Sequence, residues 1–525
     1  MGNPYAHGDR IEQVVAWHAH HRPGGIALES GAHKITYGEL TSQAAAIART
    51  LSQRGIGPGN HVAIVAGRSV EMVYALLGVL YAGAAYAAID PAWPIARIRS
   101  VLDQLDEIVL VDEPGRLTGL GQRNHLRIGS LLSLRQHEPG VASPDPRDIV
   151  APGARAGENA PLSGTGAACV YFTSGSTGEP KGIVSPHRGT IRTVVANADL
   201  PLDTSTATLQ AASLSWDAFS LELWGALLNG GTCVLLPAAN LDPSAITAAL
   251  RAGKVNTVWL TSSLLGALVD QALTELGRTR LIMTGGERVS IADARAVLQS
   301  HPHVQLVNGY GPGEATIFAT THTVTPTDVA PQRSELPIGR PIPHTEIAIA
   351  DDRLELVAPD VTGEILISGH GLALGYLNNP DETRRRFITV NGPHGRQRFY
   401  RTGDLGLTDS SGVLWYRGRR DRQIKRRGVR IELQEIETIV ERHHAVDRCV
   451  VEVLGQPTPE IVAFYTSHST HSKPSAAELR AHAAQHLLNP MMPARFVHLP
   501  ELPLTALGKV DHSLLQSDVS ALPHA

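Results

Sequence analysis

What most limits the fold of this chain is the regular exchange of short apolar runs for amphipathic stretches. Residues 61–67 (HVAIVAG) and 84–89 read as buried strands on either side of a helix at 71–81. Further along, 256–260, 279–284 and 304–308 are three more short β segments, with helices at 264–276 and 291–300 between them. Strands separated by helices in this rhythm imply parallel sheets covered by helices. After about residue 340 the pattern shifts to hairpin-like segments at 346–350, 363–368 and 413–416. Residues 419–430 pack seven basic side chains into twelve positions, and the chain beyond them reads as a compact α+β unit with helices near 433–443 and 476–488. The expected architecture is α/β. A large N-terminal body (1–420) carries mainly parallel sheets and a β-rich subdomain, and a small C-terminal lid (421–525) joins it near Asp421. The stretch 138–166 is crowded with Pro, Gly, Ala and Asp and reads as a linker or exposed loop.

At 525 residues the chain is too long for one ordinary domain. Its 42% hydrophobic and 18% charged residues suit a large core. With 46 basic and 50 acidic residues the net charge is −4, which recommends neither a nucleic-acid nor an acidic-membrane partner. Cys169, Cys233 and Cys449 stand far apart without CxxC spacing, as expected of reduced, buried thiols in a cytoplasmic protein. The N-terminus MGNPYAHGDR has no signal-peptide pattern, and Ala6 stands where myristoylation needs Ser or Thr. The uncharged stretch 72–89 contains Gly78 and Gly83 and runs into Asp90-Pro91, so it reads as a helix and a strand rather than a membrane span. The histidines at 18, 20, 21, 443 and 444 lack an acid or Cys cluster at ligand spacing and read as polar ends of surface helices.

The most informative loop is YFTSGSTGEPKG at 171–182. Thr173, Ser174, Ser176 and Thr177 alternate with Gly175 and Gly178, and Lys181 follows, all after an apolar run at 167–172. A strand ending in a glycine and hydroxyl loop can wrap N–H groups and hydroxyls around a polyphosphate. Lysine adds a mobile point charge. The GxxxxGKS/T pattern of P-loop NTPases is absent here, so taken alone the loop is either phosphate-binding by another design or a Ser/Gly-rich surface linker.

Further segments give that loop its context. They are ITYGEL (35–40), YAGAAYAAIDPAWP (81–94), NGYGPGEATI (308–317), GEILISGHGLALGYLNNP (363–380), YRTGDLG (400–406), GRRDRQIKRRGVRIE (418–432) and LPLTALGKVDH (502–512). In this order, over about residues 10–515, the set resembles the adenylate-forming superfamily, and within it the adenylation domains of nonribosomal peptide synthetases. The resemblance implies an enzyme that uses ATP and Mg²⁺ to activate a carboxylate and then passes it to a thiol. It implies that Thr173, Ser174, Gly175, Ser176, Thr177, Gly178 and Lys181 grip the β- and γ-phosphates. Tyr310 would stack on adenine beside Asn308 and Gly309, Asp404 would accept hydrogen bonds from both ribose hydroxyls, and Arg419 would be among the ATP-binding residues. Glu314 would hold Mg²⁺, a hard ion seeking oxygen ligands. Lys509 would stabilise charge developing in the first step. Lys425 would belong to the lid orientation of the second step, with Asp421 as the hinge. One departure is Gly313, where the family usually has a threonine that contacts the α-phosphate. Losing that hydrogen bond is worth about 1 kcal/mol or somewhat more.

SLSWDAFSLELW (213–224) resembles the segment whose aspartate faces the amino group of an α-amino acid, and Asp217 matches that position. By the same resemblance the pocket is lined by Ala218, Leu221, Trp259, Ile282, Thr284, Gly309, Ile317 and Phe318. That lining is uncharged, and Trp259 with Phe318 would shorten it, which suits a small or medium aliphatic side chain such as that of valine or 2-aminobutyrate. Neither a condensation domain nor a carrier domain is recognisable, so the expected partner is a phosphopantetheinylated carrier protein supplied in trans. The resemblance also allows a small stimulatory partner of the MbtH-like type. Two rivals stand beside this reading: an acyl- or aryl-acid CoA ligase on the same fold, which has no need of Asp217, and a catalytically silent nucleotide-binding homologue, which has no need of Lys509, Glu314 and Asp404.

Overall fold

Local sequence sets the elements. In a computed structural model, the run at 61–67 forms the strand His61–Val65, and Ser69 caps the helix Val70–Tyr81 by accepting the Met72 N–H. Gly83, at φ +82°, turns the chain into the strand Ala85–Ile89. Gly78 allows this helix to lie against the helix Tyr37–Gln53, since a Cβ there would come within 2.8 Å of Ile47. The structure describes residues 3–106, 108–112, 124–133, 163–175, 178–236, 242–392, 395–455, 459–468, 473–503 and 510–517. The expected linker at 138–166 therefore falls outside the described residues up to 162. Among the described residues no helix is long and apolar enough to cross a membrane.

The chain divides into two compact units. The larger comprises Met1–Ala92, Leu102–Phe172 and Gly182–Asp421; the smaller comprises Trp93–Val101, Thr173–Lys181 and Arg422–Ala525. The smaller unit is thus not confined to C-terminal residues, because the phosphate-type loop and the segment after Ala92 cluster with it.

In the larger unit, His61–Val65 pairs in parallel with Ala85–Ile89 and Ile108–Val111 at the centre of a seven-stranded sheet. A nine-stranded sheet has at its heart the parallel strands Ala207–Gln210, Thr257–Thr261, Leu281–Gly285 and Gln305–Tyr310. Its two faces are covered by separate apolar clusters. Trp259, Met283 and Val307 belong to one cluster, and Val258, Leu260, Ile282 and Leu306 to the other, as alternation along a strand requires. The hairpin-like segments form an antiparallel sheet of Thr345–Ala350, Gly363–Gly369, Gly395–Thr408, Phe387–Gly392 and Leu414–Arg419.

In the smaller unit, Ile424–Arg426 and Val429–Ile431 form a hairpin whose turn residues, Arg427 and Gly428, both have positive φ. A three-stranded sheet (Val446–Leu454, Glu460–Ser467, Arg495–His498) packs with the helices Leu433–Glu441 and Ala476–Ala483. The second helix ends five residues before the expected 488, where residues 484–487 turn and bury Leu487. His18 is also corrected: it is buried, and its Nε2 bonds the Leu228 carbonyl. All three cysteines are free and buried.

Candidate functional site

The strand Gln305–Tyr310 delivers Asn308, Gly309 and Tyr310 to a turn that continues as a short 3₁₀ segment, Gly313–Ala315. Thr316 and Ile317 then take φ values of 54° and 70°, a conformation costly for side chains branched at Cβ. Buried side chains hold that turn. Arg192, fully buried, donates to the carbonyls of Ala315 and Phe318, the latter at 2.9 Å. Thr316 Oγ1 donates to the Gly371 carbonyl at 2.8 Å. Burial pushes the Arg192 guanidinium down to about 10.

This turn brings together residues far apart in sequence. Tyr310 donates its hydroxyl to Asp404 Oδ2 at 2.6 Å, and Arg419 pairs with the other oxygen of the same carboxylate. Arg419 also reaches Asp421 at 2.7 Å. Burial, then the Asp404 charge, pushes the Tyr310 hydroxyl well above its ordinary value, so it stays a donor. A carboxylate offers about four lone-pair positions, and these contacts leave Asp404 capacity for a ribose diol. Asn308 donates to the Pro337 carbonyl at 2.9 Å, fixing the strand end. Glu314 is buried and accepts the Tyr376 hydroxyl at 2.7 Å. Among the described residues no three His, Cys, Asp or Glu side chains gather as a metal cage. A buried carboxylate outside any such cage still fits Mg²⁺, which keeps water and phosphate oxygens as its remaining ligands.

Asp217 begins the helix Asp217–Leu227, and Trp216 occupies the cap position without a side-chain cap bond. The Asp217 carboxylate accepts the Ile317 N–H at 3.1 Å. A Cβ built on Gly313 would lie 3.8 Å from Asp217 Oδ2 and 3.2 Å from Ile183. Glycine at 313 therefore leaves room beside that carboxylate as well as lacking a hydroxyl. Ala218, Leu221, Trp259, Ile317 and Phe318 share one apolar cluster. Gly309 lies under the Phe318 ring, where a Cβ would come within 2.3 Å of the ring.

Ile282 does not share this cluster. It packs in the cluster on the other face of the sheet, whereas Met283, paired with Trp259, belongs to this one. Thr284, two residues further along and so on the face of Ile282, is fully buried and pairs in register with Leu260 and Asn308. The hydroxyl of Thr284 and the indole N–H of Trp259 have no hydrogen-bond partner among the described residues. Trp216 meets Trp259 edge to face, with ring centroids 5.2 Å apart.

In the smaller unit, Thr173 ends a strand, and Ser174 and Gly175 follow it. A Cβ on Gly175 would lie 2.1 Å from the Glu179 carbonyl, and Gly178 takes φ +80°, so both glycines are required by the loop's own path. Lys181 starts the next strand, with its stem beside Gly175. Lys425 lies on the hairpin opposite Arg430. Ser176, Thr177 and Lys509 lie outside the described residues. Sequence reasoning did not single out Arg192, which holds the turn, or Trp216 and Met283, which pack beside Trp259. The segment 363–380 is recognisable in sequence, but the contacts that Gly371 and Tyr376 make within the site are not.

A family model described as AMP-binding enzyme matches residues 15–377, and one described as AMP-binding enzyme C-terminal domain matches 435–509. The chain is 34% identical over 517 residues to bacitracin synthase 1 of Bacillus licheniformis, covering 97% of this chain and 9% of that protein. Against malpibaldin synthetase of Mortierella alpina it is 35% identical over 530 residues, covering 99% of this chain and 9% of that one. The chain thus spans about a tenth of the length of these relatives. Among solved structures, holo-PA1221, an NRPS protein containing adenylation and PCP domains, superposes with a TM-score of 0.83 at 30% identity, covering 98% of this chain and 84% of that one. An artificially fused adenylation–PCP di-domain of Klebsiella oxytoca, NpsA–ThdA, gives 0.82 at 27% identity, with 93% of each chain covered.

Proposed function

The chain belongs to the AMP-binding enzyme family of AMP-forming ligases, among the adenylation domains of nonribosomal peptide synthetases, and we propose that it activates a small or medium aliphatic amino acid and passes it to a carrier protein. The observation that carries the amino-acid reading is Asp217, a buried carboxylate at a helix start that accepts the distant Ile317 N–H and lies beside an uncharged, aromatic-closed cluster. An ammonium group is the natural partner for such a charge, and an acyl or aryl acid brings none.

In this reading a substrate carboxylate oxygen attacks the α-phosphorus of ATP, the bond to the β-phosphate oxygen breaks, and pyrophosphate leaves. Thr173, Ser174, Gly175, Ser176, Thr177, Gly178 and Lys181 hold the phosphates that depart. Asn308, Gly309 and Tyr310 take the adenine, Asp404 with Arg419 the ribose, and Lys509 the charge that develops between carboxylate and phosphate. Magnesium held by Glu314 would neutralise charge on the phosphate oxygens. A carrier's phosphopantetheine thiol, having lost its proton, then attacks the acyl carbon and AMP leaves with the former carboxylate oxygen. Lys425 serves that second step, with the lid turning at Asp421. The carrier reading is supported by the adenylation–PCP organisation of the solved relatives. The size reading, valine or 2-aminobutyrate, rests on Trp259 and Phe318 within the apolar cluster.

ATP–pyrophosphate exchange over a panel of aliphatic, aromatic and charged amino acids, aryl acids and fatty acids tests this reading. It is run with and without an MbtH-like protein and followed by offering a holo-carrier in trans. Exchange with small aliphatic amino acids and loading of the carrier are expected. Exchange only with non-amino acids would support the CoA-ligase alternative, and no exchange at all the silent homologue.

A further inference from the structure

In the smaller unit the phosphate loop is already engaged by the chain itself. Glu435, in the first turn of the helix Leu433–Glu441, is 1% exposed and accepts the Gly175 N–H at 3.1 Å. Its other oxygen is paired with Arg97, also buried, at 2.8 Å. Ser174 Oγ donates to the Arg430 carbonyl at 2.7 Å and accepts the Glu432 N–H at 3.1 Å. Arg442 holds Glu179 at 3.3 Å, and a Cβ on Gly178 would come 3.1 Å from Thr438. Gly175 N–H and Ser174 hydroxyl are donors that a polyphosphate would use, and here an internal carboxylate and backbone groups of the segment 430–435 occupy both.

We propose that Glu435 is a positioning residue that takes the loop's N–H once pyrophosphate has gone, so that the loop holds either the phosphate tail or Glu435 and never both. This rests on the reading that the chain adenylates an amino acid and transfers it. A carboxylate suits the role because it offers the loop an anionic acceptor in place of a phosphate oxygen. Arg97 supplies the counter-charge that lets the carboxylate stay ionised when buried. Burial pushes the Glu435 carboxyl up, while Arg97 and the Gly175 N–H pull it back. The arrangement gives the two half-reactions opposite demands on one N–H. Pyrophosphate must displace Glu435 to re-enter, and Glu435 holds the loop against the lid helix while the acyl group is transferred.

Glu435→Gln tests this, because it keeps the shape and removes the charge. Two quantities are measured: the KM for inorganic pyrophosphate in exchange, and the single-turnover rate of transfer from preformed aminoacyl-adenylate to a holo-carrier. The KM for pyrophosphate should fall about tenfold and the transfer rate should fall by about the same factor, the scale of one charge-assisted hydrogen bond. General structural damage would raise that KM as it slowed transfer. If thermal unfolding shows that Gln disturbs folding, Glu435→Asp, which keeps the charge but withdraws it by one methylene, is read in its place with the same expected directions. A KM for pyrophosphate that stays put or rises overturns the proposal, provided the wild type performs both half-reactions. A wild type that performs neither overturns instead the functional reading beneath it.

Discussion

The Asp217 carboxylate accepts the backbone N–H of Ile317 at 3.1 Å, across a hundred residues of chain. One oxygen is thereby fixed by a turn whose own backbone is strained, at φ 54° for Thr316 and 70° for Ile317. On the proposed function, the same side chain would meet the substrate's ammonium group, so recognition and the geometry of that turn would be coupled through it.

Asp217→Asn separates the two roles. Asn can still accept the Ile317 N–H but carries no charge for an ammonium. Its KM for the amino acid should rise by roughly two to three orders of magnitude, the scale of about 3–5 kcal/mol for a buried ion left without its partner. The KM for ATP should change little by comparison. Exchange kinetics with each substrate varied in turn provide the check. An unaltered amino-acid KM would reduce Asp217 to a brace for the turn.

Trp259→Ala should reverse the size preference. The indole, edge-on to Trp216, belongs to the apolar cluster that the proposed function takes as the side-chain pocket. Its removal opens a cavity that leucine or phenylalanine can fill and valine cannot, at a stability cost of about 3–5 kcal/mol. The ratio of kcat/KM for valine to that for leucine and phenylalanine, taken in both forms, is the readout. An unchanged ratio would mean that the indole lies outside the substrate's reach.

Gly371→Ala should disturb the site without touching any residue expected to meet substrate. A Cβ there would lie 1.6 Å from the Arg192 guanidinium, which must then leave the carbonyls of Ala315 and Phe318. Two hydrogen bonds from a charged donor are lost, worth roughly 3 kcal/mol or more. Denaturant midpoints should fall by that order, and the amino-acid KM should rise as the turn relaxes. A stable protein with a normal KM would show that Arg192 does not hold the turn.

Glu222 makes a pH prediction. Its carboxyl accepts the N–H groups of Ala211 and Ala212 at 2.9 and 2.8 Å, yet burial pushes it up from 4.5 to about 8. An unfolded chain releases this proton near 4.5, while the folded one keeps it to about 8. Between those values the unfolded state binds fewer protons, so stability falls as pH rises through the window. Glu222→Gln should flatten that decline in thermal midpoints measured at about pH 5, 6.5 and 8. A variant with the wild-type slope would contradict the raised carboxyl.

Most of the strands and helices were legible in the sequence because each is local. The rhythm of 61–89 gave Val70–Tyr81 and Ala85–Ile89 almost to the residue. The site was legible where a motif is contiguous, as in 308–317, and illegible where a contact is long-range. Nothing near Arg192 marks it as the clamp of a turn 123 and 126 positions away. The face on which Ile282 lies was illegible for a related reason. A resemblance aligns residues one by one, whereas the face a strand residue occupies depends on its pairing. The pairing of Met283 with Trp259 puts those two on one face and leaves Ile282 and Thr284 on the other. The clustering of the loop Thr173–Lys181 with Arg422–Ala525 was likewise invisible, because Gly175 and Glu435 are 260 residues apart.

The most direct test compares valine with 3-methylbutanoate, which has the same carbon skeleton and carboxylate and lacks only the amino group. Both are measured as substrates for ATP–pyrophosphate exchange by the wild-type protein. If Asp217 exists to meet an ammonium group, valine should exceed 3-methylbutanoate in kcat/KM by roughly two to three orders of magnitude. Equal exchange with the two acids would contradict amino-acid recognition and return the chain to the acyl-acid ligases of its family.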